Sequence, residues 1–321
     1  MNRASSLVEG VHALAGSLLN ARQSAHDALV LDVATVNTAL RGLGELSDQV
    51  IRAKSRGEST ADLEDQRDTQ MKTLAGLTGA RFLHQANGDL LAVSRGTVLP
   101  LRATTGPFSI GEATLARDTP AAAVPQLKLD GAPMSGLGGQ MGAHLTLRDA
   151  TLPGLQAGLD DYAQALAAGF DAQGLTLFTD PAGAVPSAGS AGFSQTIQVA
   201  VAIRATPSMV RDGAGPAGAA GGATLIDRVL DGVFASGANT LTGRATSLVA
   251  GHASMAAESA TRAETDAAVR SSLQAKLAAS TGVSVDGELA SMVQLQNAYG
   301  ANAKVVAAVQ AMWNQLLETV R

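Results

Sequence analysis

TGVSVDGELASMVQLQNAYGANAKVVAAVQAMWNQLLETVR, residues 281–321, is the stretch around which the rest of the chain has to be read. Counted in sevens from Val285, the positions are Val285, Met292, Tyr299, Val306, Trp313 and Val320, each apolar or aromatic. A second track, three residues further on, runs Glu288, Leu295, Asn302, Val309 and Leu316. A seven-residue repeat keeps one stripe of a long helix turned toward a partner helix. The stripe holds the single Trp and one of the two Tyr in a chain with 3% aromatic residues. Spacing alone fits two arrangements equally: a helix packed into its own core, or a terminal helix built for assembly.

Working back from this stretch, residues 239–280 are rich in Ala, Ser and Thr with spaced charges, which predicts a long surface helix. A short helix over 225–234 precedes it, and GAGPAGAAGG at 213–222 has the composition of a flexible linker. Residues 175–178 and 196–203 read as strands around a Pro/Gly-rich loop. Leu145, Leu152, Leu155, Leu159, Tyr162, Leu166 and Phe170 mark a helix from about 142 to Gly174, which Pro153 should begin or kink. Further upstream, 104–139 is rich in Gly, Pro and Thr, with short strand candidates at 108–110 and 126–129. Asn87-Gly88 between two apolar runs gives the strongest short hairpin signal, with Phe82, Leu90, Leu91, Val93, Val98 and Leu99 as strand residues. A helix begins near Ser59-Thr60, carries Asp62 and Glu64 in its first turn, and ends at Gly79. Before it, apolar residues three or four apart from about 4 to 54 predict one long helix or two in series. The short 55–59 connection makes antiparallel packing of these first helices natural.

Composition narrows the function classes. The 321 residues suffice for two or three domains, and 46% are hydrophobic, with Ala prominent among them. The formal charge of -5 speaks against nucleic acid as a partner, because phosphate binding needs clustered cations. The chain has no cysteine, so disulfides and thiolate metal sites are excluded. No run of about 18 apolar residues predicts a membrane span, and MNRASSLVEGVHALAG lacks a signal-peptide core.

Chemical motifs are scarce. His12, His26, His84, His144 and His252 show no metal-ligand spacing. The Gly-rich stretch at 213–222 lacks the Lys-Ser/Thr of a phosphate loop. Asp160 and Asp161 read as the solvated face of a helix, and Ser6, Ser190 and Ser194 lack a nucleophile elbow. No catalytic residue, cofactor or metal is expected. The one dense polar cluster is Asp65, Gln66, Arg67 and Asp68 beside Leu63, where Arg67 can pair with Glu64 or Asp68 of the same helix or with a carboxylate on a neighbouring helix.

Three segments carry a family resemblance. Gly282-Val283-Ser284-Val285-Asp286, Glu288-Leu289, Gln296-Asn297-Ala298-Tyr299 and Ala303-Lys304-Val305 stand in the order seen at the carboxy terminus of the FlgK family of flagellar hook-associated proteins. Residues 61–91 resemble that family's helix-then-hairpin segment, with Leu63, Asp65, Gln66, Arg67 and Asp68 at its core motif. Residues 144–178 resemble the helix after its inserted β domain. The family also has an amino-terminal helix that pairs with the carboxy-terminal one, and Met1 falls downstream of it, so that segment is expected to be missing from this sequence.

The expectation is an α+β chain: an elongated helical-bundle core, an inserted small β-rich region and a long C-terminal coiled-coil helix. The layout assigns 1–79 to the first part of the helical core, 80–140 to the hairpin and β-rich region, and 141–174 to a core helix. Residues 175–223 hold strands and the linker, 224–283 the last part of the core, and 284–321 the terminal helix.

The resemblance implies a structural, non-enzymatic subunit of the bacterial flagellum that joins hook to filament. It would lie outside the cell after export through the flagellar type III apparatus. Its partners would be copies of itself, hook protein, and a second hook-associated protein or filament subunits, with an export chaperone at the C-terminal helix and neither nucleic acid nor membrane. Val285, Leu289, Met292, Leu295, Tyr299, Val306, Val309, Trp313 and Leu316 would form the assembly interface, with residues from about Leu289 onward mobile in a free monomer or docked through another chain. Two alternatives stay open: another axial or flagellin-like protein, and an enzyme with a site in the β-rich region.

Overall fold

A computed structural model describes residues 2–103, 106–116, 119, 123–134, 136–212, 224–234, 240–281 and 285–319. The linker expected at 213–222 and the stripe position Val320 lie outside the described residues. The chain forms two compact units, Met1–Val249 and Ala250–Arg321.

The first unit is organised on α1, a single helix over Asn2–Arg56. The spacing that permitted two helices in series gives one, because no proline or cap interrupts it. After Gly57 at φ 71°, α2 (Ala61–Thr78) returns along α1. Asp62 and Glu64 sit in its first turn, where the helix dipole favours anions. Thr60 does not cap through the backbone; its hydroxyl donates to the Glu64 carboxylate at 3.0 Å. Gly79 closes α2 in the left-handed conformation (φ 66°) and donates to Ala75 O. A Cβ there would come within 3.0 Å of Gly138 Cα, so glycine is required twice over.

A three-stranded antiparallel meander follows: β1 (Arg81–His84), β2 (Leu90–Ser94) and β3 (Thr97–Leu99). His84 pairs with Leu90, so the Asn87-Gly88 connection spans five residues rather than two. The tight two-residue turn is Arg95-Gly96, both at positive φ (44° and 88°), closing the Ser94–Thr97 pair. An arginine in that position gave no turn signal in the sequence. A second small sheet joins β4 (Phe108–Ser109), β5 (Lys128–Leu129) and β6 (Ala132–Pro133).

Helix then returns as α3 (Gly139–Thr146), a π-helical turn over Leu147–Thr151, and α4 (Leu152–Asp171). Pro153 lies in the first turn of α4, where its missing N–H costs nothing. The widened turn ahead of it absorbs the interruption that the proline imposes. Next come β7 (Phe178–Thr179), a 3-10 turn (Phe193–Gln195) and β8 (Gln198–Val199). The strand expected over 196–203 is limited to β8, and α5 (Val201–Ala205) begins immediately after it. The β-branched run had disguised a helical turn. Helices α6 (Met209–Asp212) and α7 (Thr224–Val233) complete this region, and α8 (Leu241–Thr281) starts in this unit.

Two apolar clusters form the core of the first unit, and α1 belongs to both. Val8, Val11 and Ala15 join α4, α7 and the segment around Phe178, Phe193 and Ile197. Leu29, Val36, Leu40 and Leu43 join α2, the first sheet, Phe108 and Met141. At Gly44 the chain passes so close that a Cβ would lie 2.1 Å from Leu101 O. In the second unit α8 continues and α9 spans Val285–Thr319.

Candidate assembly surface

From residue 253 to 281 and again from 286 to 313, every side chain that is described is exposed. On α9 this includes the seven-residue stripe: Met292 is 54% exposed, Tyr299 81%, Val306 56% and Trp313 63%. Leu289, Leu295 and Val309 are exposed as well. Val285 and Leu316 lie on the helix, and their side chains are outside the described set. Fully burying side chains of this size gains roughly 1.5–3 kcal/mol each. A helix with such a row in water therefore presents a ready association surface. Asp286 and Glu288 in its first turn suit the dipole.

The first unit is held by polar ties, several of which carry no motif. Arg67 is buried, and its Nη1 donates to Gly88 O of the hairpin loop at 2.9 Å. Its partner is thus a backbone carbonyl of the hairpin loop rather than Glu64, Asp68 or a carboxylate of a neighbouring helix. Asp65, Gln66 and Asp68 face solvent and Leu63 is half-buried, so of the five motif residues Arg67 alone is buried. A carboxylate cluster on one face of α2 has no acceptor role to play beneath the sheet, and water solvates it. Lys54 and Glu64 form an exposed pair at 3.4 Å. The Thr60 hydroxyl, then Lys54, hold the Glu64 carboxyl below its usual range.

Arg148, in the π turn, is the largest fully buried side chain. Its Nε and Nη2 donate to the two oxygens of Asp149 at 2.7 and 2.8 Å. Its Nη1 reaches Pro125 O and His26 Nδ1, both at 3.1 Å. His26 is therefore an acceptor at Nδ1, with its proton on Nε2. Burial, then the charge of Arg148, push its pKa below the ordinary 6.5. Asp32 of α1 accepts from Gln140 (3.2 Å) and meets His144 Nδ1 at 2.9 Å.

Asp160 is buried rather than solvated. It accepts from Gly192 N (2.7 Å), Ser194 N (2.9 Å), Ser194 Oγ (2.5 Å) and Gln156 Nε2 (3.1 Å). Asp161, one residue on, is exposed. A cleft of about 230 Å³ lies beside this knot, walled mainly by Leu18, Leu19, Leu152, Pro153 and Ala157. The Asp160 carboxylate is thus committed to fixing the 189–195 loop on α4. No local signature distinguishes Asp160 from Asp161 or Arg148 from any helical arginine.

The comparisons with known proteins agree with this architecture. Residues 1–183 match the helical domain of the flagellar hook-associated protein FlgK. Residues 277–319 match the carboxy-terminal region of the flagellar basal body rod proteins FlgEFG. The molecule is thus an α+β flagellar protein with a helical core and a long carboxy-terminal helix. Since the first match takes in more than half of the chain, the chain belongs to the FlgK family of flagellar hook-associated proteins.

Among solved structures it is similar to the flagellar hook junction protein FlgK from Burkholderia pseudomallei, at 25% identity with a TM-score of 0.42. That match covers 58% of this chain and 34% of the other, so the chain spans about a third of that structure's length. No match was found among curated proteins. No helix among the described residues is long and apolar enough to cross a membrane.

Proposed function

We propose that the chain is a non-enzymatic structural subunit joining the flagellar hook to the filament, and that α9 is the surface through which it assembles. The observation that carries this reading is the solvent-facing stripe Met292, Tyr299, Val306 and Trp313, in a chain of this family. Copies of the chain, hook protein and a second hook-associated or filament subunit are the partners. An export chaperone would shield the same stripe before assembly, and the flagellar type III apparatus would carry the chain outside the cell.

The layout read from the sequence serves this role. In that layout residues 1–79 and 141–174 belong to the helical core, 80–140 carries the hairpin and the inserted β-rich region, 175–223 strands and the linker, 224–283 the helical segment before the terminus, and 284–321 the adhesive terminus. Leu63 and Asp65–Asp68 act as a core motif chiefly through Arg67 and its bond to the hairpin. The non-enzymatic reading is supported by Asp160 and Arg148, buried charges whose hydrogen-bonding groups are taken up by structural partners.

Trp313 is the only Trp, so its fluorescence reports the interface directly. A dilute monomer should emit as a water-exposed indole, with a blue shift on assembly. A blue-shifted, concentration-independent maximum would mean that the stripe packs within the monomer, and the assembly reading of α9 would fall.

A further inference from the structure

Two exposed apolar surfaces of the Met1–Val249 unit carry opposite charge at their edges. The first is the outer face of the β1–β2–β3 sheet. Its register places Arg81, Val93 and Val98 side by side, with Leu83 beside Leu91. Alternate residues Phe82, Ala92 and Leu99 go to the core. An antiparallel sheet covered on one side usually turns polar residues outward. Here Leu83 is 58% exposed and Val98 54%. The charges beside them are cations, Arg81 on the face and Arg95 at the β2–β3 turn, while Asp89 of the adjoining loop is held by Arg102 at 2.7 Å. Arg95 adopts a left-handed φ of 44°, where Asn or Gly would fold with less strain, and its exposed side chain sits at the end of the sheet near Gly138.

The second surface is a groove of about 630 Å³ between α1 and the segment after β4. Val30, Leu31 and Ala113 line it, and Leu31 is 69% exposed. Its charged rim is acidic, Asp27 and Glu112. His26 lines it as well and is itself buried.

We propose that the sheet face of one copy docks in the acidic groove of the next, with Leu83 and Val98 against Val30 and Leu31, and Arg81 and Arg95 against Asp27 and Glu112. A chain cannot fill its own groove. The inner side of the sheet, Phe82, Ala92 and Leu99, packs on the cluster that includes Leu29 to Leu43 of α1, so its outer face turns away from the helix that carries the groove. A contact between two different patches repeats from copy to copy, as a polymer requires. A handful of side chains falls far short of the roughly 800 Å² per partner that a stable pair buries. The contact therefore forms where another interface already holds copies together. In this it rests on the assembly reading of α9.

The cysteine-free chain makes the test clean. Full-length Leu31→Cys and Val98→Cys variants, both at exposed positions, are mixed in equal amounts, concentrated until Trp313 shifts blue, and oxidised mildly. The mixed 31–98 disulfide dimer should dominate over either homodimer. Arg95→Glu on the Val98→Cys chain should cut its yield about tenfold, and Glu112→Arg on the Leu31→Cys chain should restore it. Assembled material with no excess of mixed dimer overturns the inference and leaves the α9 reading standing. A predominant Val98 homodimer, or reversal without rescue, also overturns it and leaves the sheet face to a different partner. If Trp313 does not shift and no mixed dimer forms at the highest concentration, both readings fail.

Discussion

The first unit and α9 use apolar side chains in opposite ways. In the first unit Leu29, Leu40, Leu43, Leu74 and Ile197 are no more than 1% exposed, and the buried Arg67, Arg148 and Asp160 each make hydrogen bonds to other parts of the chain. On α9 residues of the same kinds stand half or more in water. Both regions carry a regular apolar spacing, so the period alone says where a face lies and nothing about what covers it. The difference comes from return connections. Helices α2 and α4 and the sheets fold back on α1, and their closure entropy is offset by burial; no described element packs on α9 in this way.

Removing a tie from the closed region should have the largest effect. Arg148→Ala strips Pro125 O and His26 Nδ1 of their donor and leaves a void in the π turn. A cost of about 3–5 kcal/mol is expected, read as a lowered denaturant midpoint for the first unit. An unchanged midpoint would mean that the buried arginine is incidental to closure.

A smaller effect comes from pH. The folded state holds His26 below 6.5, whereas the unfolded chain takes its proton near that value. Between the two values the unfolded state binds more protons, so stability is full above about 6.5 and declines as pH falls, by at most about 1.4 kcal/mol per pH unit. His26→Gln should flatten that slope; an equal slope in the variant would assign it to other groups. The carboxylates Glu64 and Asp89, both held low by their partners, act in the same direction only at more acid pH.

The smallest effect on stability belongs to α9. Tyr299→Asp changes an exposed side chain and should move the melting of the first unit by less than about 0.5 kcal/mol while blocking assembly in sedimentation. A large loss of stability would show that Tyr299 is covered in the monomer and would erase the contrast between the two regions.

The helices were legible because Val11, Leu29, Val33, Leu40 and Leu43 repeat at a spacing that only a helix brings to one side. The seven-residue spacing placed the stripe of α9 but not its exposure, and the assembly role proposed for it rests on resemblance. What stayed hidden depends on neighbours distant in sequence. Arg67 reads as a member of an acidic surface cluster until the hairpin loop, 21 residues later, offers it a carbonyl. Asp160 reads as solvated until the 189–195 loop turns three donor contacts onto it, beside one from Gln156 of its own helix. The Arg95-Gly96 turn was missed because arginine is a poor residue for it, and helix α5 because Val201-Ala202-Ile203 has strand chemistry.

Helix α1 adds a mechanical consequence. Its 55 residues run unbroken through both apolar clusters, with Val8 to Ala15 anchored in one and Leu29 to Leu43 in the other. Tension along this rod would have to shear both cores at once, because neither can slide past the helix without dragging its neighbour. The two clusters are thus coupled through one continuous strut, whose backbone hydrogen bonds run along its length.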